Sequence, residues 1–267
     1  MPALEHRKLL MTDTVLVSDE NRVRTIRMNR PEKKNAITRA MYSAMAEALE
    51  TANGGDTRAV IIAGTPGAFS AGNDLMDFME APPHIGGGDM PPVERFMRAL
   101  MACEKPVIAA VDGLAVGIGT TLLLHCDLAY ATKRSVFTTP FVNLALAPEF
   151  GSSQLLPGIV GRVVASELLL LGEKWDAETA AAKLLINKTL PEDGFEEAVA
   201  EIAGKLAGLA PGAVQTAKKL INTPPEDLTA RIEREGGLFA EQLRSDEFKE
   251  AATAFMERRA PDFSRFG

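Results

Sequence analysis

The chain has 267 residues, of which 46% are hydrophobic and 24% charged, and its formal net charge is -7. This length and balance predict a globular protein with a sizeable core, and the acidic total disfavours a nucleic-acid partner, because phosphate binding needs clustered Lys and Arg. Cys103 and Cys126 build neither a disulfide framework nor a metal site, and no apolar stretch reaches the roughly 20 residues of a membrane span. We therefore expect a cytoplasmic protein that binds neither metal nor membrane.

The first half of the chain is predicted to alternate strands with helices, which implies right-handed crossovers and a largely parallel sheet. Thr38 is the expected N-cap of the first helix, and continuous apolar runs such as 59–63 are typical of strands buried on both faces. The predicted elements are a hairpin (15–17 and 23–28), a helix (39–53), strands 59–63 and 106–111 around a helix (93–103), and strands 127–131 and 136–139.

After Gly151 the pattern becomes helical, and this shift predicts a core of residues 1–200 followed by a helical region of residues 201–267. The Pro/Gly-rich loop 81–92 cannot hold regular structure, so it is either a substrate-gating lid or a surface insertion. The predicted helices are 163–171, 177–185, 196–209, 213–221, 228–243 and 247–258.

The first stretch suited to chemistry is Gly67-Ala-Phe-Ser-Ala-Gly-Asn-Asp-Leu75, between a buried strand and a predicted helix. The small residues Ala71 and Gly72 let a ligand approach the main chain, and the amide of Asn73 would then point outward at a helix start. A strand-to-helix turn also needs small residues for steric reasons alone, so this stretch by itself leaves both interpretations open.

The second stretch runs from Val111 to Asp127 and again joins a buried strand, glycines and an apolar segment predicted to be a helix. Gly117 and Gly119 flank Ile118, so the amide of Ile118 can be exposed at a helix N-terminus, where the macrodipole favours negative charge. A phosphate-binding loop is a poor alternative, because no Gly-Lys-Ser/Thr sequence follows.

Together the two stretches resemble the signature segments of the enoyl-CoA hydratase/isomerase (crotonase) family. The resemblance extends to Asn29-Arg30-Pro31, to Asn35-Ala36, to 105–111 and to 248–263. It implies an α/β fold, the crotonase (ClpP-like) spiral of repeated ββα units, with C-terminal helices that mediate trimerisation and cover the active site. It also implies a homotrimer or homohexamer.

The resemblance further implies that the amides of Asn73 and Ile118 form an oxyanion hole for the thioester of an acyl-CoA substrate. The CoA moiety of that substrate would be the only cofactor, with Ala71 near the adenine and 33–36 near the nucleotide. The implied CoA-binding residues are Lys33, Asn35, Ala36, Ala71, Gly72, Asp74 and Leu75, and the implied pocket residues are Gly117, Thr121, Phe141 and Phe150.

Two glutamates act in the hydratases of this family, and their positions are occupied here by Thr121 and Phe141. Glu149 instead lies in a later loop, as in the peroxisomal-type Δ3,Δ2-enoyl-CoA isomerases, which it resembles. The hypothesis is that Glu149 is the single base, in an apolar site made by Phe141, Phe150 and Leu144 that raises its pKa.

Three alternatives stay open at this point. Glu149 could cap the helix that follows it, the enzyme could be a hydratase or another crotonase-type lyase, or the protein could bind acyl-CoA without catalysis.

Other polar residues suggest structural roles. Asp74 is expected to be an anion at a helix start, His125 a satisfied core histidine, and Asp112 and Asp127 strand-end residues. Leu184 stands where the family commonly has a glycine, so the local packing should differ there.

Overall fold

The strands of the chain form two sheets, and the computed structural model describes residues 7–84 and 90–266. Five residues of the predicted loop 81–92, residues 85–89, lie outside the described part, so the choice between lid and insertion stays open. The described strands are β1 (Arg7–Thr12), β2 (Val15–Glu20), β3 (Val23–Met28), β4 (Ala59–Ala63), β5 (Ala68–Ser70), β6 (Val107–Val111), β7 (Leu114–Val116), β8 (Leu128–Thr132), β9 (Val136–Thr138), β10 (Trp175–Asp176) and β11 (Lys188–Leu190).

Helices fill most of the second half of the chain, which also contributes β10 and β11 to the two sheets. The described helices are α1 (Arg39–Ala52), α2 (Leu75–Glu80), α3 (Pro92–Met101), α4 (Ile118–Thr121), α5 (Ser152–Val160), α6 (Arg162–Ser166), α7 (Ala177–Ala182), α8 (Phe195–Ala207), α9 (Pro211–Asn222), α10 (Leu228–Gln242) and α11 (Asp246–Glu257). In residues 7–84 and 90–266, no helix combines the length and apolarity needed to cross a membrane.

The larger sheet has the strand order β1-β2-β3-β4-β6-β8-β11. Its first three strands are antiparallel, which confirms the predicted hairpin and adds β1 to it. From β3 to β11 all neighbours are parallel, as the alternation of strands and helices predicts. Strands β4 and β6 are buried along their whole length, which explains their continuous apolar runs.

A second sheet has the order β10-β9-β7-β5, and of its strands only β9 was predicted, as strand 136–139. The strands β5, β7 and β10 have only two or three residues and carry no readable periodicity. Strands β5, β7 and β9 are parallel, and each follows a longer strand of the first sheet. The chain therefore repeats a long strand, a short strand and a helical segment, which is the predicted spiral of ββα units.

The observed start of a helix agrees with the predicted one where a capping residue is present. The side chain of Thr38 accepts a hydrogen bond from the Met41 amide, which confirms it as the N-cap of α1. The apolar segment after Gly117 is not a long helix but the four-residue α4 followed by a 3-10 turn, Leu122–His125. The predicted helix 163–171 is likewise divided into α6 and a π-helical turn, Glu167–Leu171.

The C-terminal helices begin within the core packing. Helix α8 runs across residues 200 and 201, where the sequence places the end of the core, and its buried residues Phe195, Val199 and Ala203 belong to the cluster that contains Ile61. The buried Arg58 guanidinium fixes the end of the chain, because it donates to the carbonyl oxygens of residues 207, 263 and 266. The division at residue 200 and the covering role of the last helices stay predictions.

Candidate active site

Two glycines pack the two predicted signature segments directly against each other. A Cβ on Gly72 would lie 2.8 Å from the carbonyl oxygen of Val116, and Gly72 also has a φ of +89°, which a side chain would strain. From the other segment, a Cβ on Gly119 would lie 2.9 Å from the carbonyl oxygen of Ser70. The structure thus brings together the turn before α2 and the turn before α4.

The amides of Asn73 and Ile118 lie at these two turns. Ile118 is the first residue of α4, and the preceding Gly117 has φ 55° and ψ -120°, a conformation that belongs essentially to glycine. Within residues 7–84 and 90–266, neither amide donates a hydrogen bond to another protein group. Both are therefore available to an oxygen atom of a ligand.

The early segment 33–36 lies against the first turn. The Lys34 carbonyl accepts from the Ala71 amide at 2.9 Å, and the Asn35 carbonyl accepts from the Ser70 hydroxyl at 2.9 Å. The whole of Asn35 is buried, and its side chain donates to the Ala68 carbonyl at 2.6 Å, so Asn35 supports the turn from below. The two segments thus pack together, and Lys33 and Lys34 beside them are exposed. A role of these residues in CoA binding stays a prediction.

Asp74 is the N-cap of α2, as predicted for a helix-start anion. Its carboxylate accepts from the amides of Met76 and Asp77 and pairs with the Arg30 guanidinium at 2.6 Å. The hydrogen bond from Arg30 is the main cause of its lowered pKa. Leu75, the next residue, exposes 49% of its surface. A role of either residue in CoA binding stays a prediction.

Glu149 lies in the loop before α5, and one of its carboxylate oxygens accepts from the Thr121 hydroxyl at 2.8 Å. Burial of the carboxyl raises its pKa to about 7, against the lowering effect of the Thr121 hydrogen bond. The N-cap of α5 is Gly151, without a side-chain cap, and only the main-chain carbonyl of Glu149 meets Ser152. The alternative in which the Glu149 side chain caps this helix is therefore wrong.

Three apolar residues were expected to surround Glu149. Phe141 and Phe150 are buried, as an apolar site requires, whereas Leu144 exposes 49% of its surface and is not part of an enclosing apolar wall. Phe150 has a φ of +53°, which is uncommon for a bulky residue. Its carbonyl lies 2.8 Å from Nε2 of His125, whose ring stacks on the Phe150 ring at 3.7 Å. His125 is thus a partly buried histidine with a hydrogen-bond partner at Nε2, which agrees with the structural role expected for it.

One residue of the site was missed by sequence reasoning. Tyr42, in α1, is fully buried, and its hydroxyl donates to the side-chain oxygen of Asn73. The available signal was a hydroxyl group among apolar side chains on the inner face of a helix, where Met41, Met45 and Leu49 are also buried. A buried tyrosine hydroxyl needs a partner, but the sequence alone does not say which residue supplies it.

The remaining polar residues fill structural roles. Asp112, which follows β6, pairs with Arg134, and Asp127, which precedes β8, pairs with Lys218. Leu184 has a φ of +63° and exposes 70% of its surface, so it adopts a backbone conformation that favours glycine and keeps its side chain outside the core. Among the described residues, no group of three His, Cys, Asp or Glu side chains could hold a metal ion.

Several known proteins are similar to this chain. Enoyl-CoA delta isomerase 2 of Homo sapiens is 34% identical over 95% of this chain. The match covers only 66% of the length of the human protein. The 2,3-dehydroadipyl-CoA hydratase of Escherichia coli (strain K12) is 33% identical over 93% of the chain and 98% of its own length. A solved enoyl-CoA hydratase/isomerase from Pseudoalteromonas atlantica T6c has 43% identity and a TM-score of 0.75, covering 94% of this chain and 99% of that one.

The sequence pattern that defines the enoyl-CoA hydratase/isomerase family matches residues 18–265, almost the whole of the region described above. The fold and the two packed turns agree with this match. The chain therefore belongs to the enoyl-CoA hydratase/isomerase family.

Proposed function

We propose that this protein is a Δ3,Δ2-enoyl-CoA isomerase that uses Glu149 as its only base. The observation that carries the proposal is the Glu149 carboxyl with its raised pKa, which accepts from Thr121 on the short helix that begins at Ile118. Thr121, which binds this carboxyl, is three residues from Ile118 on the same short helix α4. The resemblance of human enoyl-CoA delta isomerase 2 supports the same reaction.

In the proposed reaction, the Glu149 carboxylate removes a proton from C2 of a 3-enoyl-CoA. The electron pair of the broken C–H bond moves into a dienolate, and the negative charge collects on the thioester oxygen. The amides of Asn73 and Ile118 donate to that oxygen, and one preorganised donor of this kind contributes about 3 kcal/mol to transition-state stabilisation. The Glu149 carboxyl then returns the proton at C4, which leaves the double bond between C2 and C3.

The pKa of Glu149 suits both halves of this cycle. A carboxyl with a pKa of about 7 is partly ionised at neutral pH, so it accepts a proton and also releases it readily. An ordinary glutamate with a pKa of 4.5 would be the weaker base. We expect the isomerisation rate to rise with pH through the region of about pH 7, as the carboxylate form becomes populated.

The substrate would be bound through its CoA moiety, and no other cofactor takes part in the proposed reaction. The exposed ammonium groups of Lys33 and Lys34 offer positive charge for the CoA phosphates beside the first turn. We also propose a homotrimer or homohexamer. The exposed apolar side chains on α10 and α11, among them Phe239 and Phe255, are suited to burial in such an assembly.

A second candidate is hydration of a 2-enoyl-CoA, which the likeness to the Escherichia coli hydratase favours. Hydration requires one group to activate water and another to deliver a proton to C2. The two positions that carry glutamates in the family's hydratases hold Thr121 and Phe141 here, so Glu149 would have to act with a different acid. A protein that only binds acyl-CoA is the third candidate.

One experiment separates these candidates. The purified protein is incubated with a 3-enoyl-CoA and, separately, with a 2-enoyl-CoA, and the products are identified by mass and by their retention on a column. Isomerisation changes the retention without changing the mass, whereas hydration adds one water to the mass. We expect fast isomerisation of the 3-enoyl-CoA. Fast hydration of the 2-enoyl-CoA with slow isomerisation would contradict the proposal, and binding without any product would indicate the third candidate.

A further inference from the structure

We propose that Tyr42 is a positioning residue of the oxyanion hole, which it orders by holding the side chain of Asn73. This inference rests on the proposed function, in which the Asn73 amide binds the thioester oxygen. It adds to that function a hydroxyl group from a distant helix that does not touch the substrate.

The main chain on both sides of Asn73 is already fixed by one residue. The Gly72 carbonyl accepts from the Ile37 amide at 2.8 Å, and the Asp74 amide donates to the Ile37 carbonyl at 2.9 Å. Only the side chain of Asn73 could then still change its conformation, and the Tyr42 hydroxyl holds it by a hydrogen bond to its oxygen. Asn73 is thus held before, after and at its side chain, while its own amide is left for a ligand.

The ring of Tyr42 is itself fixed by its neighbours. Its centroid lies 6.4 Å from that of Phe78 on α2 and 5.5 Å from that of Phe96 on α3. Phe96 in turn lies 6.5 Å from Phe150, the residue next to the proposed base. Because the ring is enclosed on several sides, the hydroxyl has a defined place and the hydrogen bond to Asn73 a defined direction.

The hydroxyl also stays a donor under all working conditions. Burial raises the pKa of Tyr42 well above its ordinary value, and the nearby negative charge of Glu149 raises it further. The phenol therefore remains protonated and keeps its hydrogen bond to Asn73 whether Glu149 is charged or neutral.

Loss of this hydroxyl should loosen one of the two oxyanion donors without removing it. A complete loss of one donor lowers the catalytic rate about 100-fold to 1,000-fold, so we expect a smaller effect of about 10-fold from a displaced donor. The effect should fall on kcat, because the donor gains most of its value when the charge develops on the oxygen, and KM should change little.

The test compares Tyr42→Phe with Tyr130→Phe, the matched change at the only other tyrosine of the chain, which is buried in β8. For isomerisation of a 3-enoyl-CoA, we expect kcat to fall about 10-fold in the first variant and to stay within about twofold in the second. Asn73→Ala, which keeps the main-chain amide, should lower kcat to a similar extent. Adding Tyr42→Phe to Asn73→Ala should have no further effect, since both remove the same hydrogen bond. Unchanged kcat in Tyr42→Phe, or independent effects of the two changes, would overturn the proposal.

A second measurement does not depend on turnover. A saturated acyl-CoA labelled with ¹³C at the thioester carbonyl is bound to each variant, and the carbonyl stretching frequency is measured by infrared spectroscopy. We expect the frequency to be lowered on binding to the wild type and to move back toward the free value in Tyr42→Phe, but not in Tyr130→Phe. A wild-type protein that lacks isomerase activity would refute the proposed function, whereas identical frequencies in all three proteins would refute the role of Tyr42.

Discussion

The turns that carry Asn73 and Ile118 offer the same group to a ligand but are built differently. The first turn is held by residues distant in sequence, namely Ile37 through its main chain and Tyr42 through its hydroxyl. The second is held by main-chain acceptors, because the Thr120 hydroxyl donates to the Ala115 carbonyl at 2.8 Å and the Gly117 amide donates to the Thr138 carbonyl of β9 at 3.0 Å. The first amide should therefore respond to side-chain changes on the distant helix α1, and the second mainly to changes in the backbone of its own segment and of β9.

Replacement of the base should have the largest effect, because it removes catalysis while the two turns still bind the substrate. We expect Glu149→Gln to lower the isomerisation rate about 1,000-fold or more, since glutamine cannot take up the proton. Binding of a saturated acyl-CoA, measured by calorimetry, should stay within a few-fold of the wild type. Isomerisation at an undiminished rate would show that another group is the base.

The contact between the two turns can be broken at Gly72. We expect Gly72→Ala to lower kcat/KM about 100-fold, because the new methyl group meets the Val116 carbonyl at 2.8 Å and the residue has a φ of +89°. The matched control is Gly158→Ala in α5, where a Cβ meets no atom within 4 Å. Equal activity of the two variants would contradict the close packing of the turns.

The buried carboxyl should also cost the folded state some stability. The pKa of Glu149 is about 7 in the folded protein and about 4.5 as a free side chain, so the unfolded chain loses this proton at lower pH. The resulting destabilisation of the folded state is absent below about pH 4.5, grows as pH rises, and is complete above about pH 7. Glu149→Gln should therefore be more stable than wild type by roughly 2 kcal/mol at about pH 8, and the gap should shrink toward about pH 5. Urea unfolding at both pH values measures it, and a gap independent of pH would contradict the raised pKa.

The smallest effect is expected where the second turn contacts the base. The Thr121 hydroxyl lowers the pKa of Glu149, so Thr121→Val should raise that pKa further. At about pH 7 we expect kcat to fall roughly threefold to tenfold, and at about pH 9 to approach the wild-type value, since the carboxylate is then fully formed. A pH profile of kcat checks this. A separate variant, Thr120→Val, tests the hydrogen bond from the Thr120 hydroxyl to the Ala115 carbonyl in the second turn.

The sequence predicted the parts of the fold whose signals are local. The continuous apolar run 59–63 identified a strand buried on both faces, and Thr38 marked the start of α1. The second sheet could not be predicted, because strands such as Ala68–Ser70 are too short to show a period. The segment after Gly117 was expected to be one helix, since an apolar run cannot distinguish an α-helix from a 3-10 turn in the same core.

The candidate site shows the same limit. The resemblance to the family predicted roles for Asn73, Ile118 and Glu149, and it predicted that carboxylates are absent from the two hydratase positions. The bond between Thr121 and Glu149 joins residues 28 positions apart, and that between Tyr42 and Asn73 joins residues 31 positions apart. Such contacts depend on the packing of whole elements, which a single sequence does not specify.

In the proposed reaction one carboxyl both removes and returns the proton while two amides hold the charge. Its most direct test is a single turnover of a 3-enoyl-CoA that carries deuterium at C2, with the position of the label in the product read by NMR. We expect a measurable share of the deuterium to reach C4, because burial of the Glu149 carboxyl slows the exchange of its proton with water between the two steps. A product whose new C4 hydrogen comes entirely from solvent would contradict the claim that one carboxyl keeps the proton between the two steps.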